Sequence, residues 1–447
     1  METIADKLEI LNQRRNYLIG PNSSGKTHTL KEVFKQNEDT TLFFDEIGEY
    51  SFLKSRNKVQ IDNNIYVYSN EQSRGQETAE LPNTEAINEN SLSIIKKIRD
   101  IQSKIILKSN SSGITKLKRI LDVLLTMNLN SIEIAIFDEP ENFLDETNLK
   151  YIVDLLDSFN KANIQIFVAT HSARFLELSS VKINELFVCS ISLSDGNIDY
   201  KVTNRTTDDI KELYTSIRDN IQEDVINNGH TSKHADMFKK INLLNRGELN
   251  EHHEGVFKSE GKVLELYLNT IIESFEFYQT LLYRKVIIVE GLTEKLILQK
   301  VPLNDLDYQN FYFSNGKIHF PFYIELFKFF GLDVVAMFDS DEAPSSEING
   351  SSKFVYKLTC YLKQKYLEDS QVKLIVSQSK DLEQDYEVNQ ILDDFSDDSG
   401  IKKNKLSGDN FFKPYIASFC FEENNWKYEQ LSRKIIGEDD NNRFEFN

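Results

Sequence analysis

Four acidic residues in the second half of the chain have the types and spacing of a divalent-metal site. Glu290-Gly-Leu-Thr-Glu294 follows the apolar run Val286–Val289, and Asp339-Ser-Asp341 follows a second apolar run. If each run is a strand of a parallel sheet, the acids meet at its carboxyl edge. Clustered carboxylates repel one another unless a cation holds them together, and oxygen ligands without thiolate or imidazole suit Mg²⁺ or Mn²⁺.

A phosphate-binding motif lies near the start of the chain. Residues 20–27, Gly-Pro-Asn-Ser-Ser-Gly-Lys-Thr, fit G-x-x-x-x-G-K-[ST] between a short apolar run and a helical stretch. Backbone amides and the helix N-terminus would hold the phosphates of ATP, Lys26 would reach the terminal phosphates and Thr27 would coordinate magnesium. The predicted nucleotide contacts in this loop are Gly20, Asn22, Ser23, Ser24, Gly25, Lys26 and Thr27.

Two later strand ends complete the predicted nucleotide site. Asp138-Glu139 follows the apolar run Glu133–Phe137, so Asp138 would hold magnesium through water and Glu139 would polarise the attacking water. His171 follows the next apolar run. This combination resembles the ABC ATPase superfamily over about residues 16 to 188, and the resemblance implies that His171 senses the γ-phosphate.

ABC-type ATPases also carry a serine- and glycine-rich signature that closes over the nucleotide of a partner subunit. The candidate is Ser109-Asn-Ser-Ser-Gly113, with Ser111, Ser112 and Gly113 as the contact residues. The sequence departs from the usual Leu-Ser-Gly-Gly-Gln, and a plain polar turn is the alternative. Gln72 is a further candidate for a γ-phosphate contact. Only nineteen residues precede the loop, so we expect weak recognition of the base.

The metal motifs resemble the TOPRIM domain of topoisomerases, primases and certain nucleases. Asn315-Gly-Lys317 lies between them, where related nucleases carry a Gly-Lys pair. An ABC-type ATPase, a helical element and a TOPRIM domain in this order resemble the OLD (overcoming lysogenisation defect) family of ATP-dependent nucleases. This resemblance covers nearly the whole chain.

The OLD resemblance implies two further site residues. One is a metal ligand at Asp385, with Glu383 as the alternative, and the other is Lys413, which precedes Pro414 and would stabilise charge near the scissile phosphate. A solvated acidic turn and a surface lysine are the competing interpretations of these positions.

The predicted fold class is α/β, in three parts. These are an ABC-type P-loop ATPase domain (residues 1–205), a helical connector or dimerisation element (206–282) and a C-terminal TOPRIM domain (283–447). Short apolar runs alternate with amphipathic stretches, which indicates helices around mostly parallel sheets. The strand candidates are Tyr17–Ile19, Thr41–Phe44, Ile65–Tyr68, Glu133–Phe137, Ile164–Val168, Lys285–Val289, Val334–Phe338 and Val372–Val376.

Composition bounds the class of protein. The 447 residues carry a formal net charge of −19, which argues against a general polyanion binder but not against a nuclease. Residues 96–119 are locally basic, and a solvated helix face is favoured there over a DNA track. We expect a cytoplasmic protein, because the sequence has neither a secretory signal nor an apolar run of roughly 18 residues. Cys189, Cys360 and Cys420 are expected to be reduced.

The resulting hypothesis is phosphodiester hydrolysis of DNA by two divalent ions under the control of ATP. One ion would bind Glu290 with Asp339 and Asp341, and a second would bind Glu294 and Asp385. The family context implies a homodimer or higher oligomer and antiphage defence, alone or with a helicase or a reverse transcriptase and its small DNA. The alternatives are cleavage of RNA, a topoisomerase or primase, and a nucleotide-switched scaffold.

Overall fold

The chain folds into two compact α/β units. The computed structural model describes residues 13–45, 50–51, 58–62, 65–68, 88–105, 111–126, 129–194, 197–221, 268–300, 310–314, 316–341, 350–377 and 397. The first unit comprises residues 1–206 and 272–282, and the second comprises residues 207–271 and 283–447.

A seven-stranded sheet forms the centre of the first unit. The strands of this unit are β1 (Arg15–Ile19), β2 (Thr41–Phe44), β3 (Tyr50–Ser51), β4 (Lys58–Asp62), β5 (Ile65–Tyr68), β6 (Ile134–Asp138), β7 (Gln165–Ala169), β8 (Leu186–Ser194) and β9 (Asn197–Asn204). The spatial order in the sheet is β3-β2-β6-β7-β1-β8-β9. Strands β2, β6, β7, β1 and β8 are parallel, and the two edge strands pair antiparallel to their neighbours.

Two features of this sheet differ from the predicted arrangement. The run Ile65–Tyr68 is a strand, but it pairs with β4 in a separate two-stranded sheet and not with the parallel strands. The hairpin of β8 and β9 was missed, although Asp195-Gly196 between alternating apolar and polar residues is a recognised hairpin signal.

The helices of the first unit pack on the sheet or on one another. They are α1 (Lys26–Gln36), α2 (Glu89–Ile105), α3 (Ser112–Thr126), α4 (Glu146–Lys161), α5 (Ala173–Leu178) and, after the second unit has begun, α7 (Phe275–Leu281). Asp145 caps α4 by accepting from Asn148 N at 2.8 Å, and Ser172 caps α5 by accepting from Phe175 N at 3.1 Å. Both caps lie in the turns that follow β6 and β7, so they fix where these turns end.

The second unit contains a parallel sheet of four strands. These are β10 (Lys285–Val289), β11 (Phe311–Phe313), β12 (Asp333–Phe338) and β13 (Val372–Val376), in the order β11-β10-β12-β13. Its helices are α6 (Thr207–Ile221), α8 (Leu292–Lys300), α9 (Phe320–Phe329) and α10 (Gly350–Tyr366). Helix α9 is mostly apolar and packs between the sheet and α6, where Tyr214 meets Phe322 edge to face with ring centroids 5.1 Å apart.

The predicted helical connector, residues 206–282, is described only at its two ends. Helix α6 packs in the second unit and α7 packs in the first, where Tyr278 Oη donates to Val181 O at 2.7 Å. Residues 222–267 lie outside the described residues, so the connector stays a prediction. Among the described helices, none is long and apolar enough to cross a membrane.

Candidate nucleotide and metal sites

The loop after β1 has the backbone shape that its sequence predicts. Gly20 and Gly25 adopt φ angles of +138° and +92°, and Ser23, at +63°, is also left-handed. A Cβ on Gly20 would lie 2.4 Å from Cys189 O, and one on Gly25 would lie 2.3 Å from Tyr200 Cδ1. Both glycines are therefore required by conformation and by the close approach of the β8–β9 hairpin.

Lys26 places a cation inside this loop. Its Nζ donates to Gly20 O at 2.9 Å and to Pro21 O at 3.1 Å, and the side chain is buried. Burial lowers the pKa of Lys26, while the carboxylates at the end of β6 and in the turn after it act in the opposite direction. The glycine-shaped loop, the buried cation and the start of α1 fit the phosphates of a nucleotide. Thr27 is exposed in the first turn of α1 and is available to a magnesium ion.

The acid pair predicted after β6 lies beside the histidine predicted after β7. Asp138 is the last residue of β6 and is buried, and Glu139 N donates to Ala169 O at 2.9 Å. Asn142 Nδ2 donates to Glu139 Oε2 at 2.7 Å, and His171 Nδ1 lies 3.2 Å from Glu139 Oε1. The structure thus brings the proposed base and the proposed sensor together.

Glu141 is a residue of this site that the sequence reasoning missed. Its Oε1 accepts from the hydroxyl of Thr170 and, at 3.1 Å, from the backbone N–H of His171. Burial raises the pKa of Glu141, and the hydrogen bond from Thr170 lowers it in part. The sequence gives no reason to single out Glu141, because it is one more acid in the short turn that contains Glu139.

The signature candidates lie at the start of α3. Ser111 Oγ accepts from Ile114 N at 3.3 Å, so Ser111 caps the helix. Gly113 is buried, and a Cβ there would lie 2.1 Å from Phe143 O. Phe143 follows the acid pair, has a φ of +68° and is 68% exposed. The signature segment therefore packs on the turn that follows Glu139, and its contact with a partner's nucleotide stays a prediction.

Three lysines of the basic stretch have partners within the first unit. Lys97 pairs with Asp154 at 2.6 Å, and Lys104 pairs with Asp100 at 2.7 Å. Lys116 is buried and donates to Glu139 O at 2.8 Å, so it supports the acid pair from α3. These contacts favour a structural role for the stretch over a track for DNA.

The metal motifs of the second unit follow neighbouring parallel strands. Val289 pairs in register with Met337, so Glu290 and Asp339 leave the same carboxyl edge of the sheet. Asp339-Ser-Asp341 is held there by Ser340 N, which donates to Ser377 Oγ at 2.7 Å. Asp341 adopts a φ of +53°, a left-handed conformation that is uncommon outside glycine but that aspartate and asparagine tolerate better than other residues.

A buried lysine joins this acidic edge. Lys317 Nζ donates to the carboxylate of Asp341 and to the main-chain carbonyl of Asp339. Its side chain is 2% exposed and lies over the ring of Phe338, with Nζ 5.4 Å from the centroid. Lys317 is the lysine of the Gly-Lys pair that lies between the two motifs. The preceding residue, Gly316, has a φ of +115°.

Glu294 is also at this edge, but it has a local partner. Its Oε2 accepts from Gly291 N at 2.9 Å, and the side chain is buried in the first turn of α8. Gly291 needs no positive φ, and a Cβ there would make only a 3.5 Å contact with Glu294 Oε2. Glu294 thus closes the turn between β10 and α8.

The donor set of this edge suits Mg²⁺ or Mn²⁺, because it consists of carboxylates without histidine or cysteine. Within the described ranges, no three acidic, histidine or cysteine side chains are grouped as a metal site. Asp341 would have to exchange the ammonium of Lys317 for an ion. Glu383, Asp385 and Lys413 lie outside the described residues, as does Gln72.

Comparison with known families supports both the ATPase and the TOPRIM part of the chain. A family model described as "Overcoming lysogenization defect protein-like, TOPRIM domain" matches residues 281–341, and one described as "AAA domain, putative AbiEii toxin, Type IV TA system" matches residues 31–177. The two matches together fit the ATPase-plus-TOPRIM arrangement of the OLD family. No curated protein matches it.

The two matches cover different shares of the predicted OLD-type sites. The TOPRIM match includes Glu290, Glu294 and Lys317 and ends at Asp341. The ATPase match includes the acid pair after β6 and His171, and it begins after the phosphate-binding loop. It describes an AAA domain, so the narrower ABC-type class stays a prediction.

Proposed function

We propose that this OLD-like chain is a DNA endonuclease that depends on divalent metal and is regulated by ATP. The observation that carries the proposal is the placement of Glu290, Asp339 and Asp341 at one edge of a parallel sheet, within the segment that matches the TOPRIM model. The all-oxygen donor set favours Mg²⁺ or Mn²⁺, and such ions activate water and stabilise the leaving oxygen in phosphodiester hydrolysis.

Protein groups at this edge would orient the acids. Lys317 holds Asp341 and the carbonyl of Asp339, and Ser377 holds the main chain between them. Glu294 would keep α8 close to β10 through Gly291 and is proposed, with Asp385 or Glu383, as a ligand of a second ion. Lys413 is proposed to meet the charge that develops on the phosphate.

In the first unit, Lys26, Thr27 and Asp138 are proposed to bind the phosphates and magnesium of ATP. Glu139 is proposed to accept a proton from the attacking water, with His171 beside it as the γ-phosphate sensor. The 3.2 Å between His171 Nδ1 and Glu139 Oε1 supports these paired roles. Closure over ATP by Ser111, Ser112 and Gly113 of a second copy would require a homodimer or higher oligomer.

The decisive experiment is a cleavage assay with plasmid, single-stranded DNA and tRNA, each with Mn²⁺, with and without ATP. We expect Glu290→Ala and Asp341→Ala to abolish cleavage of DNA and to leave binding of ATP unchanged. Asp333→Ala is the matched control, because Asp333 begins the same strand that Asp339 follows and lies at its opposite end. Unimpaired cleavage by the Asp341 variant would refute the assignment.

Other outcomes would select another function. Cleavage of tRNA alone would indicate an RNA nuclease, a covalent adduct between protein and DNA would indicate a topoisomerase, and binding of ATP without any cleavage would indicate a scaffold. A role in antiphage defence, with a helicase or a reverse transcriptase and its small DNA, is proposed from the OLD-like arrangement. Plaque assays that compare the native chain with Asp341→Ala test that role.

A further inference from the structure

The carboxylate of Glu141 joins two turns that meet at the proposed site of ATP hydrolysis. Glu141 belongs to the turn after β6, two residues beyond Glu139, and its bonding partners Thr170 and His171 belong to the turn after β7. One oxygen, Oε1, accepts from both the Thr170 hydroxyl and the His171 N–H. A single buried side chain thus fixes the start of the segment that carries His171.

Further hydrogen bonds connect Thr170 to the start of α5. Thr170 Oγ1 accepts from Ser172 N at 3.0 Å, and Ser172 Oγ accepts from Phe175 N at 3.1 Å as the cap of α5. The main chain on both sides of His171 is therefore held by hydrogen bonds that begin at Glu141. The imidazole itself is 44% exposed, so its position depends on this main chain more than on packing.

The two acids of the turn act on different parts of the histidine. Glu139 Oε1 is 3.2 Å from the imidazole Nδ1, whereas Glu141 Oε1 accepts from the backbone N–H at 3.1 Å and is 4.0 Å from Nδ1. Glu141 is 8% exposed, which favours a fixed structural contact over direct access to a nucleotide. Burying a carboxylate costs free energy unless it is hydrogen-bonded, so the bonds from Thr170 and His171 help to stabilise Glu141 in this position.

We propose that Glu141 is a positioning residue for ATP hydrolysis, holding the main chain of His171 so that the imidazole stays against Glu139. The proposal rests on the ATPase role proposed above. We expect a larger effect on the chemical step than on the binding of ATP, since the phosphate-binding loop and Lys26 make no hydrogen bond to Glu141 among those described. Misplacement of a catalytic group by about 1 Å lowers kcat by roughly 10²-fold.

Three variants separate positioning from charge and from stability. Glu141→Leu removes the acceptor, Thr170→Val removes one donor, and Glu141→Gln keeps a carbonyl oxygen for both donors. Thr41→Val is the matched control, because Thr41 is a fully buried threonine in β2 whose Oγ1 has no hydrogen-bond partner within the described part of the chain. We expect Glu141→Leu to lower kcat for ATP hydrolysis by about 10- to 100-fold, with KM changed less than about threefold.

The conservative and control variants complete the kinetic test. Glu141→Gln should keep kcat within about threefold of the native value. The kcat of Thr170→Val should lie between those of Glu141→Gln and Glu141→Leu. Thr41→Val should leave kcat unchanged. If Glu141→Gln loses as much activity as Glu141→Leu, the negative charge is what matters and positioning is refuted. If Glu141→Leu fails to fold, Thr170→Val alone decides, and native kcat in that variant would refute the proposal.

A spectroscopic readout is independent of hydrolysis. In protein labelled with ¹³C at histidine Cε1, the His171 signal is identified by its absence in His171→Gln. We expect it to shift in Thr170→Val and Glu141→Leu and to stay in place in Thr41→Val. An unshifted signal in Glu141→Leu would overturn the positioning role. If the variants show these shifts but the native protein hydrolyses no ATP, the proposed ATPase role is refuted and the positioning of His171 is established.

Discussion

The ammonium of Lys317 contacts the carboxylate of Asp341 at the carboxyl edge of the second sheet. The lysine is almost fully buried and the aspartate is 29% exposed. The protein thus supplies a positive charge of its own to an acidic edge at which a metal ion is proposed to bind. An ammonium and a divalent ion would compete for the same carboxylate.

Lys317→Met should therefore destabilise the protein in a way that metal repairs. Loss of the buried partner of Asp341 should cost about 1–3 kcal/mol without metal. Millimolar Mn²⁺ should raise the melting temperature of this variant more than that of the native protein, because repulsion of the ion has been removed. Differential scanning fluorimetry with EDTA or Mn²⁺ measures both effects.

Lys328→Met is the matched control for that measurement. Lys328 in α9 is less deeply buried than Lys317 and also pairs with an aspartate, Asp369, which precedes β13 and therefore lies away from the carboxyl edge. Its loss should lower the melting temperature with no recovery in Mn²⁺. Equal recovery of both variants would contradict the proposed competition at Asp341.

Glu139→Gln should separate hydrolysis of ATP from binding of ATP. Removing a general base lowers kcat by about 10²- to 10⁴-fold, while the loop and Lys26 remain intact. Phosphate release and fluorescence of a labelled ATP analogue measure the two properties. Asn142→Ala, which removes the donor to Glu139 Oε2, should cause a smaller loss. The assignment fails if Glu139→Gln hydrolyses ATP at the native rate.

Gly113→Ala should be costly because the added methyl group meets main chain. Its Cβ would lie 2.1 Å from Phe143 O, and a carbonyl in a capped turn cannot rotate away as a flexible side chain can. We expect a loss of about 1–3 kcal/mol and a lower melting temperature. Gly291→Ala is the control, since its Cβ makes a 3.5 Å contact and Gly291 has no positive φ. Equal melting temperatures for the two variants would contradict the packing argument.

The two described cysteines should differ sharply in reactivity. Burial raises the pKa of Cys189 to about 12, whereas Cys360 is exposed. Alkylation requires the thiolate, and a thiol with that pKa is ionised to only ~10⁻⁴ at pH 8. Because the pKa of Cys189 lies well above pH 9, raising the pH from 7 to 9 should leave the Cys189 thiol almost unmodified by iodoacetamide.

Peptide mapping after alkylation gives the rate at each cysteine. Cys360 should react in the native protein, and Cys189 should react only after unfolding in guanidinium. Modification of both residues at similar native rates would show that the β8 thiol is accessible.

The strands that position both sites could be predicted because they are short, buried apolar runs. Lys285–Val289 and Val372–Val376 are strands over the predicted residues. Strand β11, of three residues, is too short to give a periodic signal. Ile65–Tyr68 is a strand as predicted, but its partner could not be read from local apolar character, since pairing depends on residues distant in sequence.

The candidate sites were predictable in position and not in side-chain contacts. Spacing after strands placed Glu139 and His171 at neighbouring strand ends, and the structure brings them together. Spacing predicts Glu290 and Glu294 as ligands of two different ions and does not show that Glu294 accepts a hydrogen bond from Gly291 N. A carboxylate in the first turn of a helix can either cap local N–H groups or face outward, and sequence spacing does not decide between these rotamers.

The closeness of Gly20 to Cys189 and of Gly25 to Tyr200 has a consequence for synthesis of the chain. The phosphate-binding loop is translated early, but the surface that shapes it belongs to a hairpin that leaves the ribosome about 180 residues later. The loop contributes a contact of high sequence separation, and such contacts slow folding because the entropy of closing a long loop opposes them. A nascent chain halted before β9 lacks Tyr200, the neighbour of Gly25, and we therefore expect it to bind ATP more weakly than the complete first unit.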